Sequence, residues 1–389
     1  MRFLGVLVVV AAVSTAVSWL LASGLDTADK IASVVGALAA VASLGFAVWA
    51  WGKTEQGPRP SRRRVVATSA AVLVVAGVPP LIAVVTADPP PVRGAEWAQQ
   101  ALLTGSDGGI ESLSFSPNGK LVAAGSFSGD VHVWDVRSGD LVKKFTVDDE
   151  VVEAVAFSPD GARLAAGGWD GRVRLFDTDT WALKTTFTRM TDWVDALAYS
   201  PDGDLILIRT AEASQVRKAS GRDTVAKLGE VDGAVFVDDT SLAVSGDHEI
   251  RLYDTASEDY GRTVLTVENS PSTLVVSRDG TYLAVEGGHI GAKKKDIPAR
   301  VWDLKQDKDI ALQDAPPKGD AMAFTRDNKH LFMNTGKGGV GVWSLPDGRR
   351  VTALPEASST VNAIATGPDD LVAVGGQDNV VRLFRKLQT

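Results

Sequence analysis

The chain has 389 residues, 45% of them hydrophobic, enough for one large or two to three ordinary domains with sizeable cores. It contains no cysteine, which excludes disulfides, thiolate metal sites and a cysteine nucleophile. The net charge of −8 is uneven: residues 1–96 hold eight Lys/Arg against five Asp/Glu, so the remainder carries −11, and an acidic region of that size is not a general nucleic-acid binder.

Three apolar stretches, at about residues 3–22, 31–51 and 65–87, contain neither an acid nor a base. Each is long enough, as a helix, to cross a hydrocarbon core of ~30 Å, so residues 1–87 are predicted to be a region of three transmembrane helices in contact with the lipid bilayer. The first stretch also fits a cleaved signal peptide, with Arg2 before the apolar run and small residues near Ala22 and Ser23. The loop between the first two stretches is slightly acidic. The loop between the second and third holds Lys53, Arg59, Arg62, Arg63 and Arg64. Positive loops stay on the cytoplasmic side, so everything after Ala87 is expected outside, with a cytoplasmic location as the alternative. Residues 88–96 begin "DPPPVRG", a stiff extended spacer.

From residue 110 onward a unit recurs. Its marker is a turn after a short apolar strand: Ser116-Pro-Asn-Gly119, Ser158-Pro-Asp-Gly161, Ser200-Pro-Asp-Gly203, Val237-Asp-Asp-Thr240, Ser277-Arg-Asp-Gly280, Thr325-Arg-Asp-Asn328 and Gly367-Pro-Asp-Asp370. Successive markers start 42, 42, 37, 40, 48 and 42 residues apart. Pro presets the first corner, Asp or Asn caps through its side chain, and Gly takes the left-handed position. A strand precedes each marker and another follows. A third ends in an aromatic, often with Asp after it, as in "VHVWD", "RVRLFD", "EIRLYD" and "ARVWD". A weaker fourth closes the unit, as in "WALKTTFT". Four short antiparallel strands per forty residues describe a propeller blade, and seven markers describe seven blades.

These units resemble the WD-repeat family of β-propellers. Trp134-Asp135 and Trp302-Asp303 match its defining dipeptide, and Phe176-Asp177 and Tyr253-Asp254 are conservative variants. The resemblance covers residues 97–389 and implies an all-β seven-bladed propeller of WD-repeat type behind the three transmembrane α-helices. No Gly-His pair opens a repeat, and the third unit has "VRKAS" where the aromatic-Asp should stand. The family's buried His–Ser–Asp network is therefore expected to be absent or reduced, leaving apolar packing to hold the blades.

The seventh unit ends with three strands. "WAQQALLT" (Trp97–Thr104) aligns with "WALKTTFT" (Trp181–Thr188), a fourth strand, and so residues 97–104 are expected to complete the last blade by pairing with Val380–Arg385. In a blade of this family the fourth strand runs from the bottom face to the top. That puts Trp97 at the bottom, near the spacer, and turns the top face away.

For chemistry, the four histidines, His132, His248, His289 and His330, fall in different units without metal-pair spacing and are expected to be exposed strand or loop residues. Gly-x-Ser-x-Gly is missing, and "GKGGVG" (Gly336–Gly341) lacks the Lys-Ser/Thr ending of a phosphate loop and fits a tight turn. No catalytic residue, cofactor or metal is predicted. Binding features stand out more. Phe127, Trp169 and Trp193 fall in turns of the top face, with Asp149, Glu150 and Asp192 nearby. Their alternative role is packing between blades. The fifth unit's long loop, "GGHIGAKKKDIPAR", accounts for the spacing of 48 and carries Lys293, Lys294 and Lys295, a basic cluster suited to an acidic partner segment. The expected function is a membrane-anchored, non-catalytic scaffold that binds a protein or peptide on the top face, with neither nucleic acid nor a small molecule expected as ligand. The alternatives are a hydrolase- or dehydrogenase-type enzyme acting at the central channel, and a transmembrane sensor coupled to propeller binding.

Overall fold

The computed structural model describes residues 97–387, apart from 148, 222, 269–270, 291–294, 318, 337 and 356–358. The three apolar stretches, the spacer, Lys293 and Lys294 lie outside the described residues. Among the described residues no helix is long and apolar enough to cross a membrane.

Seven four-stranded antiparallel sheets follow one another. Taking strands a to d outward from the axis, blade 1 is Ile110–Phe115, Leu121–Ser126, Asp130–Asp135 and Leu141–Thr146, and blade 2 is Ala154–Phe157, Arg163–Gly167, Val173–Asp177 and Leu183–Thr186. Blade 3 is Ala196–Tyr199, Leu205–Arg209, Ser214–Lys218 and Thr224–Gly229, and blade 4 is Gly233–Phe236, Ser241–Gly246, Glu249–Asp254 and Asp259–Thr266. Blade 5 is Leu274–Val276, Tyr282–Val285, Arg300–Asp303 and Lys308–Ala311, and blade 6 is Met322–Phe324, His330–Asn334, Val340–Ser344 and Arg350–Leu354. Blade 7 takes Val361–Thr366, Leu371–Gly376 and Val381–Lys386 from the end of the chain and Trp97–Leu103 as its strand d. Each strand a touches the next, and that of blade 7 touches that of blade 1, so the ring is closed.

The closing strand pairs Trp97 with Lys386, Ala98 with Arg385 and Leu103 with Val381, one residue further along than Val380–Arg385, with a bulge between Gln99 and Ala101. Trp97 is 2% exposed and wedges between blades 6 and 7, edge-on to Phe332 at 4.9 Å. Its counterpart Trp181 is only half-buried, beside Phe145.

The repeat marker works through two side chains. Ser158 Oγ donates to Asp160 Oδ1 at 2.5 Å and accepts the Arg163 N–H at 2.9 Å, while Asp160 Oδ1 accepts the Ala162 N–H at 2.9 Å. The same pattern recurs at Ser116, Ser200, Ser277 and Thr325, all buried, whose hydroxyls satisfy a strand-b N–H that the ladder leaves over. The aromatic-Asp pair divides its labour in a similar way. Trp134 is fully buried and its indole N–H donates to Thr104 O at 2.8 Å, clipping blade 1 to the closing strand of blade 7. Asp135 Oδ1 accepts the N–H groups of Arg137 and Ser138, and chiefly the Ser138 bond holds its pKa below the usual carboxylate value. In blade 3, without that Asp, the backbone closes the turn: Gly221 donates to Lys218 O and Lys218 to Asp223 O.

Apolar packing does not hold the blades alone. Arg174 and Arg382, on strand c of blades 2 and 7, reach back to Asp170 and Asp378 at 2.6 Å, both pairs largely shielded from solvent. These ion pairs stand where the sequence suggested only apolar contacts.

Candidate functional site

Strand order fixes which loops share a face. In an antiparallel a–b–c–d sheet, the b–c turns and the d–a connections lie at one end. Phe127 is in the b–c turn of blade 1, Trp169 in that of blade 2, and Trp193 in the connection from blade 2 to blade 3. The hairpin inserted in blade 5, Gly288–Ile290 paired with Lys295–Ile297, occupies the same topological place between strands b and c. Lys295 therefore begins a strand of that hairpin.

The three rings form one run across the loops. Phe127 meets Trp169 edge-on, with centroids 6.2 Å apart, and Trp169 meets Trp193 at 6.2 Å with the planes tilted by 34°. They are 59%, 43% and 50% exposed, so they pack against one another on the surface rather than into the joint between blades. Backbone bonds hold all three. Phe127 N–H donates to Gly109 O at 2.8 Å, Trp169 N–H to Val151 O at 3.1 Å, and Val194 N–H, beside Trp193, to Gly168 O at 2.9 Å. Gly168 is required there, because a Cβ would stand 1.9 Å from Val151 O.

The acids named from the sequence are only partly brought to this run. Asp192 caps its own neighbour, accepting the Trp193 N–H at 2.8 Å. Glu150 is exposed in the connection between blades 1 and 2. Asp149 lines a separate cleft with Thr146, Asp170, Arg172 and Arg174. The carboxylates that do stand at the rings are Glu153 and Glu111. Glu153 Oε1 accepts the indole N–H of Trp169 at 2.8 Å, and Glu111, Glu153, Phe127, Gly109 and Gln377 line a cleft of about 360 Å³. Burial, and then the charge of Glu153, push the Glu111 pKa above the usual carboxylate value, against an opposing hydrogen bond from Asn362 Nδ2 at 3.1 Å.

The two glutamates share a register position, five residues ahead of Ser116 and Ser158. The same position holds Asp195, Asp232, Ser272, Asp320 and Asn362 in the other units, so five of seven blades place an acid at the upper end of strand a. Arg209 answers part of that charge, donating to Asp195 Oδ1 at 2.8 Å and to the carbonyls of Asp232 and Ser272. Glu111 and Glu153 make no ion pair among the described residues. This spacing was the signal for the carboxylate ring, and it lies in strands otherwise read for their apolar pattern.

The other end of the channel is different. A cavity of about 640 Å³ at the a–b turns is lined by Phe115, Phe157, Phe236, Met322 and Phe324, with Arg278 and Arg326 at its edge.

Two of the four histidines depart from the sequence expectation. His132 is fully buried and His330 is 8% exposed, because strands b and c of a blade are covered on both faces by neighbouring blades, whereas His248 is exposed in a turn. His289 falls on the inserted hairpin, paired with Asp296. His132 stacks on Trp134 at 5.7 Å, and neither ring nitrogen has a hydrogen-bond partner among the described residues. Burial lowers its pKa. Asp107 and Asp130 approach it, with one ligand atom from each of the three residues within 4.8 Å of the others. Lys144 Nζ binds both carboxylates, 3.1 Å from Asp130 Oδ2, and occupies the place a cation would take between them.

No curated protein matches this sequence. Residues 97–135 and 139–177 match the family described as WD domain, G-beta repeat. The first match opens with the closing strand and runs through strands a to c of blade 1, so the sequence unit straddles two blades. Over blades 1 and 2 the chain is thus similar to the WD-repeat family, and the closed ring of seven four-stranded sheets is a β-propeller.

Proposed function

We propose that the protein is a membrane-anchored, non-catalytic scaffold whose propeller docks a protein or peptide on its top face, at Phe127, Trp169 and Trp193. The observation that carries this reading is the continuous run of three exposed aromatic rings, since large rings left in water on neighbouring loops are the residues that anchor partners. Backbone hydrogen bonds tie the loops that carry the rings, which lowers the ordering free energy lost on binding. The anchor is the region of three apolar stretches in residues 1–87, and the Arg-rich loop between the second and third puts the propeller on the extracytoplasmic side. Lys293, Lys294 and Lys295, in the long loop of the fifth unit, are the second proposed contact.

Affinity capture with the full chain in native membranes tests this. Trp169→Ala/Trp193→Ala should lose the partners held by the wild type, and replacing Lys293–Lys295 by Glu should weaken them. Identical partners in both variants would remove the proposed surface. Added protease should degrade the propeller on intact cells, and protection until the cells are opened would reverse the orientation.

A further inference from the structure

Resting on the top-face reading above, we infer that the partner segment seated on the aromatic run is basic, distinct from any acidic stretch that meets the Lys loop, and that a lysine or arginine side chain of this extended segment enters the cleft between Glu111 and Glu153 against the rings of Phe127 and Trp169.

Three observations lead there. The first is charge without compensation. Glu111 and Glu153 repel one another across a cleft of about 360 Å³, and neither makes an ion pair among the described residues, whereas Asp195, at the same position in blade 3, is paired with Arg209. The second is the kind of apolar surface beside them. Exposed indole and phenyl faces attract ammonium and guanidinium groups, and a cation lying on Trp169 would meet the carboxylate of Glu153, which already touches that indole. The third is reach. Five of the seven blades put an acid at this level of the channel, so a cation approaching the top face is drawn to the mouth over a distance longer than any one contact. An acidic segment meets the opposite situation: its carboxylates would add to the repulsion that Glu111 already feels.

The site also separates binding from folding. Trp169 and Trp193 supply area, and Glu111 and Glu153 supply the charge preference, so the two can be removed independently. The measurement is retention of a randomised hexapeptide library on the immobilised full-length protein in detergent, followed by sequencing of the retained peptides. Wild type should retain peptides enriched several-fold in Lys and Arg, with the enrichment falling as salt rises from about 50 to 500 mM. Glu111→Gln/Glu153→Gln should still retain peptides while losing that enrichment. Trp169→Ala/Trp193→Ala should lose retention about ten-fold or more. A wild-type pool with no basic bias, or a bias unchanged in Glu111→Gln/Glu153→Gln, overturns the inference while leaving the aromatic surface standing. Retention that survives loss of both tryptophans, or no retention by the wild type, overturns the surface and the inference together. Thermal melting of each variant establishes that loss of binding is not loss of fold.

Discussion

Glu111 shows how a single side chain in this propeller serves binding at the expense of the fold. Its pKa is raised by burial first and by Glu153 second, so the folded state favours the protonated form. That contribution to stability is complete below the ordinary value of 4.5 and is lost as pH rises through the higher folded value, which means that the ionised side chain costs stability at neutral pH. Glu111→Gln keeps an acceptor for Asn362 and removes the charge. Its Tm should exceed the wild type at pH 7 and converge with it near pH 3.5, as followed by circular dichroism. A lower Tm at pH 7 would mean that the carboxylate stabilises the mouth. Much at this scale was hidden in the sequence. Phe127, Trp169 and Trp193 could be found because turn chemistry marks the loops that carry them. Glu111 and Glu153 were marked only by their shared spacing ahead of the turn serine, and nothing in a strand beginning "IES" or "VEA" says that Glu153 meets the indole of its own blade's b–c turn. His132 misled for a related reason: its alternation with Val131 and Val133 suggests a half-exposed strand, but a blade has neighbours on both sides and strand c has no wet face.

Among the elements, the closing strand matters most, because it joins the two ends of the ring. Trp97 is buried among Phe332, Val342, Val361, Val374 and Phe384, from two blades at once. Truncating a buried Trp costs ~3–5 kcal/mol. Trp97→Ala should therefore lower stability in urea by that amount, and Trp181→Ala, in the matching but half-exposed place, by clearly less. Trp193→Ala, on the surface, should stay within ~0.5 kcal/mol of wild type. Equal losses at Trp97 and Trp193 would contradict the packing described here. The strands themselves were legible because most repeats combine three independent signals: a turn marker of the Ser-x-Asp-Gly kind or a close variant, an alternating apolar run and an aromatic end. The buried hydroxyl of the marker was not, since the same Ser would serve an exposed turn equally well. Nor were the Asp170–Arg174 and Asp378–Arg382 pairs, which require knowing that residues four apart in a bent hairpin face each other in a shielded place.

For the whole molecule, the position of every loop depends on the ring being closed as described. If Trp97–Leu103 lies beside Val381–Lys386, there are seven blades, the b–c turns share one face, and Phe127, Trp169 and Trp193 stand together on it. The absence of cysteine from the chain permits a direct test. Ala98 faces Arg385 across the closing pair, and Cα atoms paired in this way lie about 4.5–5.5 Å apart, within disulfide range. The double variant Ala98→Cys/Arg385→Cys, oxidised in dilute solution, should form an intramolecular disulfide in most molecules, seen as faster migration on a non-reducing gel. Ala98→Cys/Asp254→Cys, with its second cysteine at the end of strand c in blade 4, should not. Failure of the first pair to cross-link, or equal cross-linking of both, would contradict the closed ring and with it the face on which the partner is placed.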